Sequence, residues 1–137
     1  MKNGNFYGGR YQVYGDIRAN DFLNETTNVV TGYDVWLLNA LGTSQNSIKN
    51  LWSQAYFTIN LCNLFLDGMI AKGNSVVSSS LAANYNGEAR FIRALCYYSL
   101  LQYYAKPYAD NNGANAGLPL RLTGIKGSGY SDLARST

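Results

Sequence analysis

The chain contains no histidine, so its potential chemistry rests on eight carboxylates, two cysteines and twelve tyrosines. Losing histidine removes the side chain that most often acts as general base or metal ligand near neutral pH. It also removes every Ser-His-Asp or Cys-His arrangement. Asp16, Asp21, Glu25, Asp34, Asp67, Glu88, Asp110 and Asp132 would have to supply an acid–base pair for glycoside hydrolysis alone. No two of them sit in a recognisable catalytic context. The sequence therefore predicts a protein that binds and does not catalyse, with no cofactor and no metal site.

Binding chemistry is better represented. Tyr33, Asp34, Trp36 and Asn39 combine two rings with an acceptor and an amide. That set suits carbohydrate, which offers a C–H face to a ring and hydroxyls to hydrogen-bonding groups at its edge. Arg18 and Asp21 precede this group and complete the candidate ligand-binding set. The competing assignment has Trp36 and Leu37 simply packing on the helices. Eleven Lys and Arg against eight Asp and Glu leave a net charge of +3 with no basic run, which argues against a nucleic-acid partner. No stretch reaches the roughly eighteen apolar residues that span a bilayer, so membrane contact would need an anchor. Cys62 and Cys96 both fall inside helical patterns, as small buried residues or, alternatively, as a disulfide between two helices.

The elements that must position these residues are helical. Tyr11, Tyr14, Ile17 and, less regularly, Phe22 suggest a helix between Gly8 and Phe22, broken near Gly15 and Asp16. Residues 24–32 read as loop and Tyr33–Leu38 as a short apolar island. From Ser47, a plausible cap, to about Lys72, Leu51, Ala55, Ile59, Cys62 and Leu66 form one stripe, with Trp52, Tyr56 and Leu64 beside it. Gly73, Asn74 and Ser75 should end this helix, because glycine accepts the left-handed conformation beyond a C-terminus. A second helix should run from Ser79 to Ala105, with caps available in Ser78–Ser80, stopped by Pro107. The two should pack antiparallel, and Gly87 should admit a close neighbour. In the second helix Ala89, Ile92, Cys96 and Leu100 form one stripe and Phe91, Leu95, Tyr98 and Leu101 another, which predicts packing on more than one side. Glu88 and Arg93 should make buried polar bonds between helices, and Asn60 and Asn63 should cap loop backbone. Residues 110–129 should be loop, with a short extended piece at Leu118–Leu122.

One segment carries more than periodicity. Gly87 to Tyr104, GEARFIRALCYYSLLQYY, is followed by Ala105-Lys106-Pro107 and by Gly117-Leu118-Pro119-Leu120. Together with Trp52, Tyr56, Ile59, Asn60 and Asn63 upstream, it resembles the SusD/RagB family of outer-membrane nutrient-binding lipoproteins. The resemblance covers Leu51–Leu122 and, more loosely, Tyr11–Asp21. It implies an all-α fold of tetratricopeptide-like antiparallel helix pairs with long loops. Residues 1–137 would form a single N-terminal domain, a fragment whose C-terminal part is absent, with Ser136 or Thr137 suited to capping the next helix. Trp52, Tyr56, Asn60, Glu88 and Arg93 would be structural.

The family's function would be capture of an oligosaccharide or another nutrient at the cell surface and delivery to a TonB-dependent, SusC-like transporter, with the helices as scaffold and docking surface. Its location would be the outer membrane, through a lipidated cysteine that neither Cys62 nor Cys96 can supply. The opening Met1-Lys2-Asn3-Gly4 has no apolar export segment. A rival assignment is a helical-repeat adaptor that binds proteins and no sugar. Helices that expect neighbours expose apolar faces, so the isolated chain is expected to self-associate.

Overall fold

The computed structural model describes residues 3–19, 21–23, 25–28, 31–39, 46–128 and 134–136. They contain five α-helices, α1 Arg10–Arg18, α2 Tyr33–Trp36, α3 Asn46–Gly68, α4 Asn74–Val76 and α5 Ser79–Tyr104. A π-helical turn, Met69–Gly73, joins α3 to α4, and a 3-10 turn, Tyr108–Asp110, follows α5. No strand occurs among the described residues, so the fold is all-α as expected. The chain divides into two compact units, Met1–Ala55 and Tyr56–Thr137, with the division inside α3. Asp132 and Thr137 lie outside the described residues.

In the first unit, α1 runs unbroken through Gly15. The break expected there does not occur, because one helical glycine costs only about 1 kcal/mol and the burial of Tyr14 and Ile17 on one face offsets it. Phe6 is fully buried, with its ring edge-on to Tyr7 and Tyr11 at centroid distances of 4.7 and 5.8 Å. Gly32 brings α2 against α1. Its φ is +87°, and a Cβ there would lie 2.7 Å from Ile17 Cδ1 and 3.0 Å from Tyr14 Cε1, so both conformation and space require glycine. After α2, Leu38 takes a left-handed φ of 54°. Its amide donates to Val35 O at 3.1 Å and that of Asn39 to Asp34 O at 3.0 Å, closing the helix in the manner usually reserved for glycine.

In the second unit, pairs of residues on α3 and α5 run in opposite order. Tyr56 meets Tyr97 edge-on at 6.1 Å, Asn63 accepts from Arg93 at 2.8 Å, and Phe65 meets Tyr85 at 6.5 Å. The helices are therefore antiparallel. Ile59, Cys62, Leu66 and Met69 are buried from the α3 side, and Ala82, Ala89, Cys96 and Leu100 from α5. Alanine and cysteine on the α5 stripe leave room for the larger side chains opposite, and each fully buried aliphatic contributes about 1.5–3 kcal/mol. Both cysteines are free thiols. Burial pushes the Cys96 thiol up from 9.0 to about 12, with Cys62 beside it adding to the shift.

Four local expectations are corrected. Ser47 is the second residue of α3 and donates to Asp34 instead of capping the helix. Gly73 keeps right-handed angles, φ −58° and ψ −42°, and the chain continues through α4 to an extended Val77. A Cβ there would lie 2.5 Å from Met69 Sδ in the π-turn, so a larger residue would have to displace the Met69 side chain. Gly87 is exposed with nothing within 4 Å of a Cβ position, so it admits no close neighbour. The second stripe of α5 is packed only in part: Leu95 is half-buried, while Phe91, Tyr98 and Leu101 are 68%, 60% and 44% exposed. Ser78, by contrast, caps α5 as expected, accepting from Leu81 N at 3.4 Å.

Candidate functional site

The aromatic set of the first unit is held by the Gly32 contact and the left-handed turn at Leu38. Tyr33 and Trp36, one helical turn apart, are both half-buried, with ring centroids 5.8 Å apart and planes tilted by 39°. Asn39 is exposed just beyond them. Asp34 points the other way. It is 8% exposed, with Oδ1 accepting from Val35 N at 3.0 Å and Oδ2 from Ser47 Oγ at 2.5 Å. Both carboxylate oxygens are thus committed to internal bonds, and Asp34 acts here by fixing α2. Arg18 and Asp21 are exposed, and neither side chain bonds to the Tyr33–Trp36 pair. The structure brings together two rings and one amide from the six candidates.

A denser arrangement occupies the second unit, where α3 and α5 grip the extended segment Leu118–Ile125. An extended chain with no sheet partner must satisfy its backbone elsewhere, and side chains do so residue by residue. Tyr56 Oη donates to Pro119 O at 2.7 Å. Tyr97 Oη donates to Arg121 O at 3.1 Å and accepts from Arg121 N at 2.5 Å. Asn63 Nδ2 donates to Arg121 O at 3.1 Å and Thr123 O at 3.2 Å. Arg93 donates to Leu122 O at 3.2 Å. Asp67 accepts from Gly124 N at 2.8 Å. Asn60 takes Ile125 at both ends, accepting from its N–H at 2.8 Å and donating to its carbonyl at 3.1 Å.

On α3 these residues recur at steps of four, three and four, Tyr56, Asn60, Asn63 and Asp67, a polar line beside the apolar stripe. Asn63 is fully buried and uses both amide hydrogens, while its oxygen accepts from Arg93. Gly124 fits under this line because a Cβ would lie 2.6 Å from Leu64 Cδ2 and 2.8 Å from Asp67 Oδ2. Burial pushes the Tyr56 phenol up to about 12, with Tyr97 adding to the shift, and burial raises Tyr97 as well. Both hydroxyls are therefore neutral donors over the physiological range. Nearby, Gly117 N donates to Ser136 O at 2.6 Å and Ser136 N to Leu118 O at 3.1 Å. The Ser136 hydroxyl also bonds Leu118 O, so it is engaged there.

Asn60 and Asn63 thus cap loop backbone as the sequence indicated, and Arg93 bridges to the neighbouring helix. Glu88 does not join it. Its side chain is exposed and unbonded, since it lies five residues before Arg93 and faces away from the grip. Asp67 and Tyr97 were not singled out from the sequence. The regular spacing from Asn63 to Asp67 is the signal that pointed to the first of them. No group of three or more metal-ligating side chains occurs among the described residues.

The pattern is that of an all-helical scaffold, among the described residues, with a side-chain-clasped exit segment. A family model described as "Starch-binding associating with outer membrane", of the SusD-like type, matches residues 4–137. The chain belongs to this SusD-like family. A similar protein is SusD-like protein P25 of Formosa agariphila, 29% identical over 85 residues, which is 59% of this chain and 16% of that protein. The match therefore spans a small part of the relative's length. No solved structure matches the chain.

Proposed function

We propose that this chain is the N-terminal scaffold of a cell-surface protein that captures oligosaccharide and passes it to a TonB-dependent, SusC-like outer-membrane transporter. The observation that carries the reading is the starch-binding, outer-membrane-associated family match along residues 4–137. In this reading no bond of the sugar is broken, in keeping with a sequence that has no histidine and no recognisable acid–base pair. Tyr33, Trp36 and Asn39 form a first contact for glycan, two rings for C–H faces and an amide for a hydroxyl. The helix pair supplies rigidity, and its exposed apolar side chains, Phe57, Leu61 and Phe65 on α3, supply a surface for docking. Surface location would come through a lipid anchor, since no helix among the described residues is long and apolar enough to cross a membrane.

The test is calorimetric titration of the full gene product with maltooligosaccharides, together with pull-down of the transporter from outer membranes. Sugar binding and transporter recovery are expected. A protein that recovers transporter-unrelated partners and binds no glycan would favour the other assignment, a helical-repeat adaptor, for which the same apolar α3 face is the supporting observation.

A further inference from the structure

Beyond the grip, the turn after α5 carries a second group of rings that neither the sequence nor the family match assigns. Two open depressions, of about 530 and about 600 Å3, meet there and share Ala105, Lys106 and Asn115 in their walls. The smaller one is lined also by Tyr98 and Tyr108, which are 60% and 76% exposed. Tyr108 is held firmly for so exposed a side chain. Gly113 has φ +79°, and a Cβ there would lie 2.4 Å from Tyr108 Cε2 and 2.8 Å from Cδ2, so the ring rests on bare backbone.

The turn beneath it is closed by Gly113 N donating to Tyr108 O at 2.9 Å, by Asp110 N donating to Pro107 O at 3.1 Å, and by a Lys106–Asp110 ion pair at 3.7 Å. The Cδ2–Cε2 side of the ring lies against Gly113, and most of the ring is exposed. At the junction of the two depressions, Lys106 is exposed and lines both walls, so its ammonium is the donor within reach of a ligand there.

We infer that this turn is a second oligosaccharide-binding platform, in which the exposed ring of Tyr108, with Tyr98 lining the same depression, stacks on a sugar ring while Lys106 donates to its hydroxyls. A ring already fixed by its own backbone loses little freedom on binding, which favours affinity. An ammonium donor beside exposed rings suits a ligand with a C–H face and a hydroxyl edge. The inference rests on the glycan-binding reading above and adds a site to it.

The experiment is titration of the full gene product with maltotriose and maltoheptaose, comparing wild type with Tyr108→Ala, Tyr108→Phe and Gly113→Ala. Melting curves identify any variant that fails to fold. If the platform is used, Tyr108→Ala weakens maltoheptaose binding about tenfold, the loss of one aromatic stacking contact. Gly113→Ala, which displaces the ring without removing it, does the same, and Tyr108→Phe restores binding. Wild-type affinity in folded Tyr108→Ala overturns this site and leaves the glycan-binding reading intact, even if transporter pull-down falls in that variant. No binding of either sugar by wild type overturns both.

Discussion

The two outer faces of the α3–α5 pair are built to opposite standards. On one, Tyr56, Asn60, Asn63, Asp67, Arg93 and Tyr97 bond the main chain of residues 119 and 121–125. On the other, Phe57, Leu61 and Phe65, spaced four apart on the same helix, stand 58%, 50% and 45% exposed. A polar side chain on a helix can finish its face with an extended strap, because the strap's backbone offers a donor or acceptor at every residue. Apolar side chains can be finished only by another packed surface. The clasped face is thus complete within these residues, and the apolar face is what the chain offers outward.

The strongest test of this contrast is Asn63→Ala. It removes the amide from Arg121 O and Thr123 O and leaves Arg93 only its bond to Leu122 O, and should destabilise the second unit by about 3 kcal/mol, well above an ordinary surface change. Chemical denaturation reads it directly, and a loss below about 0.5 kcal/mol would mean that the clasp is ornamental to stability.

Alkaline pH should weaken the same unit next. Cys96 and Tyr56 hold their protons more tightly folded than unfolded, with values raised from 9.0 and 10.0 to about 12. Their contribution is complete below about pH 9 and is lost as pH rises toward 12. A melting temperature that stays flat over that interval would contradict their burial.

On the apolar face the expectation reverses. Phe57→Gln with Leu61→Gln should change stability by less than about 0.5 kcal/mol while weakening self-association in sedimentation velocity, because these side chains bury little within the chain. Smallest in size and opposite in sign, Gly87→Ala should stabilise by about 0.5–1 kcal/mol, since the position is helical, exposed and empty around a Cβ.

The comparison also explains what could be read from the sequence. The limits of α5 and the buried stripe of α3 were legible because they depend on local periodicity and on Pro107. Asn60 and Asn63 stood out because amides inside an apolar helix need partners. Tertiary surroundings were not legible. The sequence could not tell that Phe91 and Tyr98 face outward, since an apolar stripe has the same spacing whether or not something covers it. It could not tell that Asp34 turns inward to Ser47, thirteen residues away. Nor could it tell that Gly113 serves as a rest for Tyr108, because glycine in a polar loop reads simply as a turn.

Amide hydrogen exchange at Arg121, Gly124 and Ile125 tests the central claim most directly. None of these N–H groups belongs to a helix, and their acceptors are Tyr97 Oη, Asp67 Oδ2 and Asn60 Oδ1. If α3 and α5 grip the strap through its backbone, all three exchange slowly in the wild-type protein and rapidly in Asn63→Ala, while the amides of α1 are unchanged. Fast exchange at these three positions in the wild-type protein would contradict the clasp and leave the segment an ordinary loop.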